Sequence, residues 1–164
     1  MKDIKKNVMK KYIYLCAMSA LMLTGACESD LGKVHYQEAL SQPAELAPLQ
    51  ASYVLEGEKS NDPAIRFTWA RPQVNYPASV TTDLQMDLSN HGFANAVTLA
   101  STKTDSIYTI SVGDLNQAML KLISGNGQEV TATKVIFRLV STLSADVSPL
   151  VSNVVSTTIT PYGE

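Results

Sequence analysis

The chain has 164 residues, of which 45% are hydrophobic and 17% charged, and its formal net charge is −2. Five of its thirteen basic residues fall in the first eleven positions; from residue 27 onward eight basic residues stand against fourteen acidic ones, a net charge of −6. An acidic chain without a basic patch argues against nucleic acid, which needs clustered Lys and Arg to displace counterions, and against electrostatic attachment to anionic lipid.

In chain order, Lys2, Lys5, Lys6, Lys10 and Lys11 form a positive leader, and Tyr12 to Leu23 an apolar run of a dozen residues. That run has the length of a secretory core and falls short of the ~20 residues a spanning helix needs. Small residues Thr24, Gly25 and Ala26 then precede Cys27. The order predicts a lipoprotein signal peptide over 1–26, cut before Cys27, with a lipid on the Cys27 sulfur. An aliphatic residue is usual three positions before such a cysteine; here Thr24 stands there. Cys16 leaves with the signal, so the mature chain has a single cysteine, no disulfide, and a fold held by its core. Glu28, Ser29 and Asp30 form a short acidic cluster that resembles the surface-export signal of Bacteroidetes lipoproteins. Residues 27–48 are polar, carry Pro43 and Pro48, and read as a lipidated tether.

From Leu49 onward strand patterns dominate. Leu49 to Glu56 alternates loosely. Ile65, Phe67 and Trp69 face one way, with Arg66 and Thr68 opposite; Arg71-Pro72 ends this strand because Pro cannot donate to a ladder. Leu84, Met86 and Leu88 alternate with Asp83, Gln85 and Asp87. Asn90-His91-Gly92 is a turn, and Ala96 to Ala100 and Ile107 to Val112 are short strands. Leu115, Met119, Leu122 and Ile123 recur at helical spacing, so 114–123 is a helix, with Asp114 as its cap and Gly125-Asn126-Gly127 as its stop. Thr131 to Leu143 is the longest strand and Asn153 to Thr160 the last. About seven strands, with one helix before the penultimate strand, predict an all-β sandwich of immunoglobulin or fibronectin type III-like form over 49–164, with Trp69 filling its centre.

The chemistry-bearing residues are sparse. A sugar platform needs an exposed flat ring. Trp69 alternates with core residues, which leaves Tyr76 and Phe93, both in predicted turns, as the candidate glycan contacts. His35 and His91 lack ligand partners at metal-site spacing, so no metal is expected. Asp83 and Asp87 could pair for acid–base work but sit on a face read as solvated. No nucleophile motif or phosphate loop is present, so neither enzyme activity nor a cofactor is expected.

Several pieces occur in order: the signal, Phe67-Thr68-Trp69, the strand from Asp83 to Ser89, the helix from Asp114 to Leu122, the strand from Val135 to Ser141, and the close from Val151 to Tyr162. Together they resemble the N-terminal domain of SusE-like outer membrane lipoproteins over roughly 40–162, with Leu115-Asn116, Ser152-Asn153 and Pro161-Tyr162 as the best markers. The resemblance implies a lipid-anchored, surface-exposed outer membrane protein beside a TonB-dependent importer and its lid lipoprotein. Such a protein serves uptake of a starch-like glycan. In that family, glycan contact belongs to C-terminal domains and the N-terminal sandwich is a spacer, so no family binding residue carries over. The chain ends at Glu164, where the reading expects the sugar-binding part to be missing, which favours a protein partner over a sugar. The alternative is an adhesin or pilus-type structural subunit.

Overall fold

The computed structural model describes residues 36–124 and 130–163. The signal peptide, Cys27, His35 and the Gly125-Asn126-Gly127 turn lie outside the described residues. Nine strands and one helix follow in order: β1 (Glu45–Leu46), β2 (Ser52–Val54), β3 (Pro63–Ala70), β4 (Thr81–Leu88), β5 (Val97–Thr102), β6 (Ile107–Ser111), α1 (Val112–Ser124), β7 (Thr133–Thr142), β8 (Leu150–Val151) and β9 (Val155–Thr160). One sheet has the order β1-β3-β6; the other runs β2-β9-β7-β4-β5, with β8 added to β7. This is the strand order of an immunoglobulin-like sandwich, with the sheets sharing one core.

The count exceeds seven because two short strands, β1 and β8, form outside the stretches expected to be strands. The strand expected over 49–56 is the three-residue β2, and β1 precedes it in the other sheet. β1 pairs antiparallel with β3, and β2 pairs parallel with β9. Pairing to β3 stops at Ala47, whose N–H meets the Thr68 carbonyl; Pro48 follows and has no N–H to continue it. The chain then crosses to the other sheet. The sandwich therefore reaches back into the stretch read as tether: Ala44 and Leu46 are core residues, and Gln42 bridges Gln73.

Alternation builds the core. Ile65, Phe67 and Trp69 of β3 face Leu84, Met86 and Leu88 of β4 and Val135, Phe137 and Leu139 of β7 across the sandwich, all buried. Phe67 and Phe137 meet with ring centroids 5.0 Å apart at 55°, a tilted aromatic pair. Trp69 is buried but sits at the end of β3, in register with Leu46, and the two phenylalanines hold the centre expected for it.

Helix α1 begins two residues earlier than its apolar spacing suggests. Its cap is Ser111, not Asp114: the Asp114 N–H donates to Ser111 Oγ (3.1 Å), and that hydroxyl donates to Asp114 Oδ2 (2.7 Å). Asp114 occupies the reciprocal position of a capping box. Leu115, Met119, Leu122 and Ile123 all pack into the core, which accounts for a helix in an otherwise all-β unit.

The register fixes two poles. β1 starts where β3 ends, at Ala70, and the 71–80 loop, the 103–106 turn and Thr142 lie at this same pole. β9, parallel to β2, ends at Thr160, beside Val54 and near Thr133, at the opposite pole, where α1 begins. The chain thus comes in at one pole and leaves at the other.

Candidate functional site

The polar residues that the sequence makes conspicuous are spent on holding backbone. Asn153 Oδ1 accepts the Leu46 N–H (2.8 Å) and its Nδ2 donates to the Leu46 carbonyl (2.9 Å). One side-chain amide thereby stands in for a neighbouring strand and ties β1 to the opposite sheet. Asn116 does the same at the far pole, accepting the Tyr162 N–H (3.0 Å) and donating to the Tyr162 carbonyl (3.1 Å). The Tyr162 ring lies close over Gly57, where an added Cβ would come within 3.3 Å of it. Ser152 Oγ accepts the Leu139 N–H (2.8 Å) and donates to the Asn153 carbonyl (2.7 Å). Each family marker is a clamp on the sandwich, because a buried backbone amide needs a partner and loops supply none.

Asp87 corrects the reading of a solvated carboxylate face. It is fully buried under the turn after β4. Its Oδ1 accepts the Leu88 N–H (2.7 Å) and lies 3.3 Å from His91 Nδ1; its Oδ2 accepts the Asn95 N–H (3.0 Å). Asp87 therefore organises the β4–β5 connection, and His91 has the acidic neighbour that spacing did not suggest. Asp83, on the same strand face, is only partly buried and makes no contact with this node. Among the described residues no group of three His, Cys, Asp or Glu could hold a metal.

Phe93 belongs to the same turn. Its backbone is left-handed (φ 69°), next to Gly92 at φ 59°, and its ring carries the Arg138 guanidinium 4.2 Å from its centroid. Arg138 is itself held by Gln85 through Nε–H to Oε1 (2.9 Å). One face of the Phe93 ring is thus already covered. Tyr76 is 38% exposed in the loop before β4. The two rings flank opposite ends of the eight-residue β4, so at ~3.3 Å per residue they stand on the order of 25 Å apart and form no common platform.

Two concave surfaces stand out among the described residues. A groove of about 480 Å³ runs between β5, β6 and the outer side of α1, lined by Leu99, Tyr108, Ile110 and Ala118 with Asp114 and Lys121. Burial, then the nearby Asp114 carboxylate, raises the Tyr108 pKa above its ordinary value. A cleft of about 430 Å³ opens at the pole where β1 begins, between the end of β3, the 71–80 loop and the 103–106 turn. Trp69, Val80 and Thr82 lie among its inner residues; Arg71, Lys103 and Asp105 form its rim. This cleft is not legible in the sequence because its residues come from two separated stretches, 69–82 and 103–105, each unremarkable alone.

No curated protein and no solved structure matches the chain. The family model described as SusE outer membrane protein matches residues 30–139, from the polar stretch ahead of β1 to Leu139 within β7. The Ser152-Asn153 and Tyr162 clamps lie beyond the matched stretch, yet they close the same sandwich. With two-thirds of its length matched, the chain belongs to the SusE outer membrane protein family.

Proposed function

We propose that this chain is a non-catalytic surface lipoprotein of a glycan-uptake system, anchored through Cys27, whose sandwich is a rigid spacer and docking module. The observation that carries this reading is the opposition of the poles. The polar stretch after Cys27 leads into β1 at one pole, and the chain leaves β9 at the other. Each end is held by a side-chain amide, Asn153 on Leu46 and Asn116 on Tyr162. The ten-residue β7 between the poles spans about 30 Å at ~3.3 Å per residue. Such a module sets a distance between anchor and partner. Signal 1–26 and a lipidated tether from Cys27 to about residue 41 complete the organisation.

Family membership supports partners of the Sus type: a TonB-dependent importer and its lid lipoprotein. Affinity purification of the full chain from detergent-solubilised outer membranes is expected to recover both. Recovery of neither, under conditions that preserve the importer–lid pair, would overturn the reading. The Tyr76 and Phe93 rings do not converge, so retardation in starch-containing gels is expected to be weak or nil. Replacement Cys27→Ser is expected to abolish acylation, measured by mass spectrometry of the amino-terminal peptide, and to release the chain from membranes. An adhesin subunit awaiting a donor strand would leave a groove beside β7; here β4 and β9 flank β7 on both sides.

A further inference from the structure

The cleft at the β1 pole has a composition that the spacer role leaves unused. Its inner part is apolar, with the Trp69 indole, Val80 and Pro72, and it lies against one buried hydroxyl, Thr82. Thr82 Oγ1 has a single partner, Ser141 Oγ at 3.0 Å, so it keeps hydrogen-bonding capacity. The rim carries Arg71 and Lys103, both exposed, and neither makes an ion pair among the described residues. The rim carboxylate, Asp105, is engaged at Oδ2 by the Thr102 hydroxyl (2.9 Å). Two cations and one anion leave the cleft net positive on a chain that is otherwise strongly acidic after residue 27. Its volume, about 430 Å³, lies within the range of small-molecule sites.

We propose that this cleft binds an anionic sugar unit, a ring bearing one carboxylate. The guanidinium of Arg71 presents paired donors that match a carboxylate, and Lys103 adds a second charge. The apolar C–H face of the ring packs against Pro72 and Val80, over the edge of the buried Trp69 indole, and a ring hydroxyl reaches Thr82. The sugar part of the proposal rests on the glycan-uptake reading; the carboxylate part rests on the cleft alone.

Trp69 is the only tryptophan in the chain, so its fluorescence reports this site without labelling. Titration of the full chain in detergent with oligogalacturonate is expected to give a saturable change. Neutral oligoglucose is expected to bind at least tenfold more weakly. Arg71→Ala and Lys103→Ala are each expected to lower affinity about tenfold, and added salt to weaken binding, since the rim charges are exposed. Both side chains lie outside the core, so unchanged thermal unfolding verifies that the variants are folded. The proposal is overturned by no response to oligogalacturonate, by an equal response to oligoglucose or to inorganic phosphate, or by a response that survives the double variant. A response to lipopolysaccharide micelles alone would likewise overturn it. If importer and lid co-purify while the titration is silent, only the cleft proposal fails. If the titration saturates while neither co-purifies, the carboxylate site stands and the uptake role fails.

Discussion

Asn116, Asn153 and Asp87 show how a single polar side chain does the work of a strand. Each satisfies two or more backbone or ring partners that would otherwise be left unpaired inside the sandwich. Removing such a side chain costs more than the bonds themselves, because the stranded groups stay desolvated. Asn153→Ala is expected to destabilise by about 2 kcal/mol in urea unfolding. Asp87→Ala is expected to cost about 3 kcal/mol, since a buried carboxylate with charge-assisted bonds is lost. A change under about 0.5 kcal/mol in either would mean the clamps are incidental. The two asparagines were legible as markers of a family but not as clamps. Their partners, Leu46 and Tyr162, lie 107 and 46 positions away, and no periodicity links residues so far apart.

Turns and caps decide where elements begin. The β4–β5 connection needs two successive left-handed residues, Gly92 and Phe93. An alanine at 92 would meet no atom within 4 Å, so Gly92→Ala isolates the conformational cost and is expected to destabilise by about 1 kcal/mol. Ser111→Ala removes the helix cap and is expected to cost a similar amount, about 1 kcal/mol, by the same measurement. Tyr108, between β6 and the groove beside α1, titrates higher than an ordinary tyrosine because burial, then Asp114, disfavours its anion. The folded state therefore holds this proton longer than the unfolded state does. Stability from this group is complete below the ordinary tyrosine pKa of about 10 and is lost as pH rises through the elevated value. The melting temperature of the native chain is expected to fall more steeply above pH 10 than that of Tyr108→Phe; parallel curves would contradict the assignment. Most strands and the helix core were readable from alternation and helical spacing. The helix cap was misplaced because Ser111 falls at the end of a strand pattern, and only geometry shows that its hydroxyl, bonded to Asp114, receives the backbone N–H.

For the whole molecule, opposed poles make length the useful quantity. A donor and acceptor placed at positions 42 and 163 are expected to report a separation of about 30 Å or more, from the ten residues of β7. The distance is expected to persist in the presence of importer partners, as a rigid spacer requires. A separation below about 20 Å would place both ends at one pole and end the spacer argument.

What the sequence determined by itself was what local order can carry. Alternation marked which residues enter the core and helical spacing marked α1, while the leader, apolar run and Cys27 carry the proposed lipoprotein signal. These depend on neighbours within a few positions, so they survive without a fold. Tertiary structure alone decided the rest. An unexpected strand, β1, precedes the first expected one, and the chain changes sheets at Pro48. Asp87 is buried because a turn folds over it, and Tyr76 and Phe93 are kept apart by the length of β4. Trp69, Arg71, Thr82 and Lys103 meet at one cleft only because β3, β4 and β5 bring their ends to one pole. The physical reason is common to all of these: burial, pole and partner are set by pairings between distant strands, and a linear pattern carries no register between them.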